Sequence, residues 1–400
     1  MKKIYLVDVS SMFFRAFYAI RPLSSTKGVP VNAVYGFISM IVKLLKEKNP
    51  EYIVFCYDRK EPSFRKDLDA NYKANRTTMP DDMQVQMPYL KQVAGLFGIA
   101  DLEVESFEAD DLIGTIATEA NKENFEVYIV SGDKDFCQLI NDKTFLYDTM
   151  KEVVFTPALV KEKHGVTPEQ FIDYLAITGD TSDNIPGVAG IGPKGAIKLI
   201  EEFGTLEKIY ENIDKVSSAG IKDKLINSKD NAIMSKKLVT IVRDVKTGRT
   251  LDDYKRKPLN VEPLREFLQE LNFKSFEKNL LGDSKLVSPE YTLASSEPAP
   301  VHILELESEK KQASSFAVTV NVWDTETVQK KLQSEPFFAF MHNSDLAFGF
   351  GENLFHAPVV EMLPGFMSDK NLDFQNLTWS GFDLKNIWTQ IKLPTENLKS

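Results

Sequence analysis

Short apolar runs, each closed by an acid, mark the first third of the chain. They are KKIYLV before Asp8, YIVFCY before Asp58, and EVYIVSG before Asp133-Lys134-Asp135. None alternates strictly between apolar and polar residues, which is the pattern of strands covered on both faces in a parallel sheet. Between them, apolar residues recur at helical spacing over 12–19, 33–48 and 110–122, the last opening with its own acids at the positive end of the helix dipole. This alternation predicts an α/β fold with a central, mainly parallel sheet over residues 1–165. From 167 to about 281 the pattern is mainly helical, predicting a helical subdomain over 166–282. A Ser/Pro/Ala-rich stretch, 283–300, reads as a linker, and 301–400 regain a mixed pattern. Between Pro62 and Pro88 the pattern dissolves into a polar insertion, about 62–90, carrying Arg65, Lys66, Lys73 and Arg76 with Tyr72 among them. A long insertion directly after a strand-end acid is more often functional than idle.

At 400 residues, two or three domains are expected. No apolar stretch approaches the ~20 residues that span a bilayer, and the opening MKKIYLVDVSS is broken by Asp8, so neither a membrane span nor a secretory signal is expected. Cys56 and Cys137 lack metal-ligand spacing, which points to a reduced cytoplasmic compartment. The net charge of −10 is unevenly spread: residues 284–400 hold nine Lys/Arg against fifteen Asp/Glu, leaving −4 on residues 1–283. Nine of the acids in that first part form the candidate site below, so its remaining surface is net basic and compatible with phosphate.

In an open α/β sheet, chemistry sits beyond the carboxyl ends of the strands. Asp8, Asp58, the Glu108-Ala109-Asp110-Asp111 group and Asp133/Asp135 are therefore expected to converge on one cleft. Converging carboxylates repel unless cations intervene, and hard oxygen ligands select Mg²⁺ or Mn²⁺. Two such ions about 4 Å apart suit phosphodiester hydrolysis. Asp180 and Asp183, spaced i and i+3, could reach the same cleft. The segment Gly187-Val-Ala-Gly190-Ile-Gly192-Pro-Lys194-Gly195 formally matches GxGxxG, but a helix and turns precede it where a dinucleotide site needs a strand. It reads better as a helix–hairpin–helix, with Gly190, Gly192 and Lys194 approaching a phosphate. Lys73 and Arg76 beside Tyr72 fit a clamp on a single strand, cations on phosphates and the ring on a base. Arg15, beyond Asp8, is a further candidate phosphate contact. The four histidines form no nucleophile triad.

On LVDVSSMFFRAFYA, YKANR, FEADDLIGT, SGDKDFCQL and GDTSDNIPGVAGIGPKGAIKLIEEFG, residues 1–282 closely resemble the bacterial 5′-nuclease domains of the flap-endonuclease superfamily, as found at the start of DNA polymerase I. The resemblance implies a PIN-like core, a helical arch and a helix-hairpin-helix subdomain. It implies metal ligation by Asp8, Asp58, Glu108, Asp110, Asp111, Asp133, Asp135, Asp180 and Asp183, and arch or phosphate roles for Arg15, Lys73 and Arg76, with Tyr72 stacking on a base. It further implies K⁺ at the hairpin, a 5′-flap, nicked or gapped DNA substrate, a monomeric enzyme, and a polymerase domain in the same full-length protein. Gly195 departs from the family pattern, which usually has threonine there. Residues 301–400 weakly resemble the start of a 3′–5′ exonuclease-like, RNase H-like domain. The strand Phe338-Ala339-Phe340 lacks the paired acids that would make it active, and Asp324-Thr325-Glu326 reads as helix capping. Two rivals stand beside this: an RNA nuclease of the PIN class, against which the 179–195 hairpin argues, and a non-catalytic DNA-structure binder tethering a polymerase.

Overall fold

The computed structural model describes residues 1–282 and, as backbone, four strands between 319 and 358. In chain order the first part contains β1 (Lys3–Asp8), α1 (Val9–Ala19), α2 (Asn32–Lys48), β2 (Tyr52–Cys56), α3 (Arg65–Leu68), α4 (Asp81–Gln84), α5 (Met87–Leu96) and β3 (Ala100–Leu102). There follow α6 (Ala109–Lys122), β4 (Glu126–Val130), β5 (Thr144–Asp148), β6 (Val153–Phe155) and α7 (Pro157–His164). The helical part is α8 (Phe171–Thr178), α9 (Pro193–Phe203), α10 (Leu206–Glu211), α11 (Ala219–Asn227), α12 (Lys229–Val239), α13 (Val261–Glu270) and α14 (Lys274–Leu281).

The sheet order is β3-β2-β1-β4-β5-β6, with only the β5–β6 pair antiparallel. The chain winds outward from β1 through β2 to β3, then returns to place β4 on the other side of β1. The switch point thus falls between β1 and β4, where such sheets open a crevice. Although the strands read as continuous apolar runs, their alternation sorts two cores. Ile4 and Leu6 face α6 and the helical part, while Tyr5 and Val7 face α1, α2 and α5.

Two sequence expectations change. First, the helical subdomain does not continue to 282 as a separate body: Leu264, Phe267, Leu268, Phe273, Phe276 and Leu280 pack into the same core as α2 and α5. The amphipathic faces of α13 and α14 find their apolar partner on the sheet layer rather than on α8–α12. Second, the polar insertion is not wholly solvent-facing. Arg65 and Tyr72 are buried, as are Met83 and Gln86, whose Oε1 accepts from the Ala33 and Val34 N–H groups that open α2.

The second unit contains β7 (Thr319–Val322), β8 (Phe338–His342), β9 (Asp345–Phe350) and β10 (Asn353–Pro358), in the order β7-β10-β9-β8. The β8-β9-β10 meander is antiparallel and β7 joins it in parallel. The linker 283–300 and Asp324-Thr325-Glu326 lie outside the described residues.

Candidate active site

The carboxyl ends of β1, β2 and β4 lie side by side, and each delivers an acid. Asp8 ends β1 and caps α1, accepting from the Ser11 N–H at 3.0 Å and from the Ser131 hydroxyl at 2.8 Å. Asp58 follows β2 and accepts from the Ala109 N–H at 3.0 Å, which fixes the start of α6 against it. Ser131, after β4, accepts in turn from the Asp133 N–H at 3.0 Å. Burial, and then the Asp58 and Asp133 charges, push Asp8 up to about 7. Burial followed by Asp8, Asp133 and Asp58 pushes Asp110 far above the usual carboxylate range. Asp8 and Asp110 thus lie in low-dielectric surroundings close to two further acids, where full ionisation without a cation is unfavourable.

A second group adjoins it through Asp133. Asp135 is pushed up to about 7 by burial and then by the Asp133 charge, with Asp180 and Asp183 adding to it. Asp180 pairs with Lys134, which overcomes burial to hold its carboxyl low. Asp183 pairs with Arg76 and stands 3.8 Å from the Lys73 ammonium. The Asp180–Asp183 loop is docked on the polar insertion: the Lys73 N–H donates to the Asp183 carbonyl at 2.8 Å, and the Asn184 amide to the Asn71 carbonyl at 2.8 Å. Lys73 itself sits at φ +56, a left-handed conformation that a lysine adopts only when its surroundings hold it there. Glu108 bridges the groups, accepting from Lys73 Nζ at 2.8 Å, Tyr72 OH at 3.1 Å, Ser63 Oγ at 3.2 Å and Arg65 Nη1 at 3.2 Å. Burial would raise its carboxyl, but the Lys73 and Arg65 charges hold it below the ordinary value.

Eight of the nine predicted acids are therefore linked, by mutual charge or shared contacts, into one cluster. The ninth, Asp111, is turned away: it is fully buried and bound two-pronged by Arg65 at 2.7 Å and 2.7 Å. Its remaining lone pairs take the Val242 N–H at 2.9 Å and the Glu108 N–H at 3.2 Å. Tyr72, expected to stack on a base, is 3% exposed, with its hydroxyl on Glu108 and its ring under the Lys73 ammonium, so no free face is presented. Lys73 and Arg76, expected on phosphates, here neutralise Glu108 and Asp183. Arg15 is anchored by Asp148 at 2.9 Å and lies across Gly132, where a Cβ would fall 1.9 Å from its guanidinium carbon. Only glycine permits that approach. Asp148 ends β5, Lys134 stands between two predicted acids, and Arg65 was grouped with the basic insertion. The strand-end rule applied to TFLYD would have found Asp148.

The 179–192 loop joins α8 to α9, so a helix and not a strand precedes GIGPKG, and the dinucleotide alternative falls away. Gly190 takes φ +77, Gly192 caps α9 and Pro193 opens it, leaving Lys194 exposed at the helix start. Lys224 Nζ donates to the Gly190 carbonyl at 2.9 Å. That oxygen already faces an ammonium and does not fit a K⁺ ligand as it stands.

Among the described residues no three His, Cys, Asp or Glu side chains are arranged to hold an ion as they stand. The donor chemistry nonetheless fits a divalent cation. Asp8, Asp110 and Asp135 are hard oxygen donors whose carboxyls burial and neighbouring acids push up, and one oxygen of Asp135 is buried with no hydrogen-bond partner.

Residues 3–165 match the model of the 5′-3′ exonuclease N-terminal resolvase-like domain, and residues 166–262 that of the 5′-3′ exonuclease C-terminal SAM fold. The chain belongs to the 5′-3′ exonuclease family. It is 38% identical to the 5′-3′ exonuclease of Aquifex aeolicus over 280 residues, which cover 70% of this chain and 96% of that one. It is 36% identical to DNA polymerase I of Caldicellulosiruptor bescii over 410 residues, all of this chain and 45% of that protein. The match to DNA polymerase I of Bacillus subtilis is 37% over 85% of this chain and 38% of that protein. The chain thus spans less than half the length of these two polymerases. In fold it is similar to the T5 D15 protein co-crystallised with metal ions, with a TM-score of 0.51 and 23% identity over 70% of this chain and 99% of that one.

Proposed function

We propose that this 5′-3′ exonuclease is a divalent-cation-dependent DNA nuclease, using Mg²⁺ or Mn²⁺, that cuts at or near the single-strand/duplex junction of a 5′ flap, nick or gap. The observation that carries the reading is the acid group around Asp8 and Asp110, whose carboxyls are pushed up by burial and by each other and the Asp58 and Asp133 charges, with Lys73, Arg76 and Lys134 paired to the neighbouring acids. Two or more cations would be held by these acids with Glu108, Asp135, Asp180 and Asp183. When bound, they would polarise the phosphate and activate water. The T5 5′-exonuclease, 23% identical, binds divalent zinc, and the T5 D15 flap endonuclease has been crystallised with DNA and metal ions.

Lys73 and Arg76, now on Glu108 and Asp183, stand where they could transfer to a scissile phosphate and offset its growing charge. Arg15, oriented by Asp148, would contact a neighbouring phosphate. The α8–α9 hairpin, with Gly190, Gly192 and Lys194, would hold duplex through backbone N–H groups and one cation. K⁺ is left out of this reading, because Lys224 serves the Gly190 oxygen. We further place the chain as a monomer in the bacterial cytoplasm, at the nucleoid. It would act in primer removal and repair as the N-terminal part of a DNA polymerase I, followed by a 3′–5′ exonuclease-like segment from 301 that lacks activity.

A 5′-labelled flap on a denaturing gel tests this. Short labelled products should appear with Mg²⁺, vanish with chelator, and vanish in Asp110→Asn, while flap binding persists. Equal cleavage with and without divalent cation, or a matched RNA flap cut far better than the DNA one, would refute it.

A further inference from the structure

Arg65 has no part in the chemistry outlined above, and at 2% it is among the least exposed charged groups of the described residues. Its guanidinium spends every donor direction on partners from two parts of the chain, the start of α6 and the end of α12. Nη1 and Nη2 bind Asp111 at 2.7 Å each, and Nη1 also reaches Glu108 Oε2 at 3.2 Å. Nε donates to the Leu238 carbonyl at 2.8 Å, and Nη2 to the Thr240 carbonyl at 2.9 Å. Leu238 lies in the last turn of α12, and Thr240 opens the non-helical segment 240–245 that leaves it and runs along the nuclease core. The core supplies the backbone of this helix end and segment with side-chain partners. Asp111 takes the Val242 N–H, Gln138 takes the Ile241 N–H and donates to the Val239 carbonyl, and Thr115 takes the Val245 N–H. Gly114 lies so close beneath it that a Cβ would meet Ile241 at 2.6 Å.

We propose that Arg65 is a positioning residue that sets Glu108 for cation binding, and that Asp111 serves Arg65 instead of ligating the cation. Asp111 has four donors on its two oxygens and no exposed surface, so nothing is left on it for a metal. Glu108 is the opposite case: it is the N-cap of α6, held from below by Arg65 and from the cleft side by Lys73 and Tyr72. If Lys73 leaves for a phosphate, Arg65 still fixes the carboxylate's orientation. A planar fork can meet Asp111, Glu108 and two carbonyls at once, whereas a lysine ammonium, with a single nitrogen, cannot. Partners that orient a ligand in this way alter metal affinity by about 10- to 100-fold when removed.

The inference rests on the divalent-cation reading above, and the test separates the two. Mn²⁺ binding to the DNA-free protein is measured by calorimetry, half-saturating Mg²⁺ and kcat by flap cleavage, and folding by thermal unfolding. Arg65→Lys should weaken Mn²⁺ binding and raise half-saturating Mg²⁺ about tenfold, with kcat at saturating Mg²⁺ within about threefold of wild type. Asp111→Asn should do the same, and the double variant should add little, because the two act as one unit. Replacing the pair by apolar residues, Arg65→Met with Asp111→Leu, should recover the unfolding midpoint while cation binding stays weak. That pair also keeps the question answerable if Arg65→Lys fails to fold. Three results overturn the inference: unchanged cation binding in Arg65→Lys, cation binding restored with stability in the apolar pair, or loss of kcat in Asp111→Asn that no Mg²⁺ concentration recovers. A wild-type enzyme that cleaves without divalent cation would sink the underlying reading instead.

Discussion

Asp110 shows how far a single side chain's environment can move it. Its carboxyl is raised by burial and by Asp8, Asp133 and Asp58, so the metal-free folded protein holds a proton there that the unfolded chain releases in the ordinary carboxylate range. Stability from that protonation is full below about pH 4 and is lost as pH rises through the elevated folded value. Without divalent cation at pH 8, Asp110→Asn should therefore unfold about 2–5 °C above wild type, and the gain should disappear at pH 4. Adding Mg²⁺ should stabilise wild type more than the variant. A variant no more stable than wild type at pH 8 would mean the acids do not repel one another as packed. Lys73 gives a kinetic counterpart. Lys73→Ala should slow single-turnover cleavage about a hundredfold, with flap affinity in Ca²⁺ changing far less. Comparable losses in both would make Lys73 a binding residue only. The sequence showed both residues as candidates, but not that Lys73 would spend the substrate-free state on Glu108.

At the scale of elements, the strand ends and α6 carry the acids because a parallel sheet points its carboxyl ends one way. This was legible in the apolar runs, whose length and lack of alternation fixed β1, β2 and β4 closely. The α8–α9 hairpin was legible from its glycines and Pro193. Lys194→Ala should weaken duplex binding and reduce the slope of log affinity against log salt by about 0.9, leaving cleavage of bound substrate nearly intact. A large loss of the bound-state rate would place Lys194 in the chemistry instead. Less legible was the insertion. Its polarity suggested a solvated arm, yet Arg65, Tyr72 and Gln86 are buried because each finds fixed partners across the chain, on Asp111, Glu108 and the start of α2. No local pattern encodes a partner 46 residues away.

For the molecule as a whole, α13 and α14 close the fold by returning to the sheet layer. Seven large apolar side chains from 264–280 are buried there, and at ~1.5–3 kcal/mol each their loss rivals the entire stability of an ordinary domain. A chain ending at residue 260 should therefore fail to show a cooperative unfolding transition by calorimetry. One ending at 282 should unfold cooperatively and retain Mg²⁺-dependent flap cleavage. An active, cooperatively folded 1–260 fragment would show that the helices only decorate the core.

By itself the sequence determined the sheet, its direction, the acids at its edge and the family likeness, because apolar periodicity and strand-end position are local properties of the chain. Only the tertiary structure decided which acids join the cluster and which is turned away, that Arg65 and not a cation meets Asp111, and that the last two helices belong to the first core. Those outcomes depend on which buried charge finds a partner with matching geometry, and that partner is chosen by packing across the whole fold.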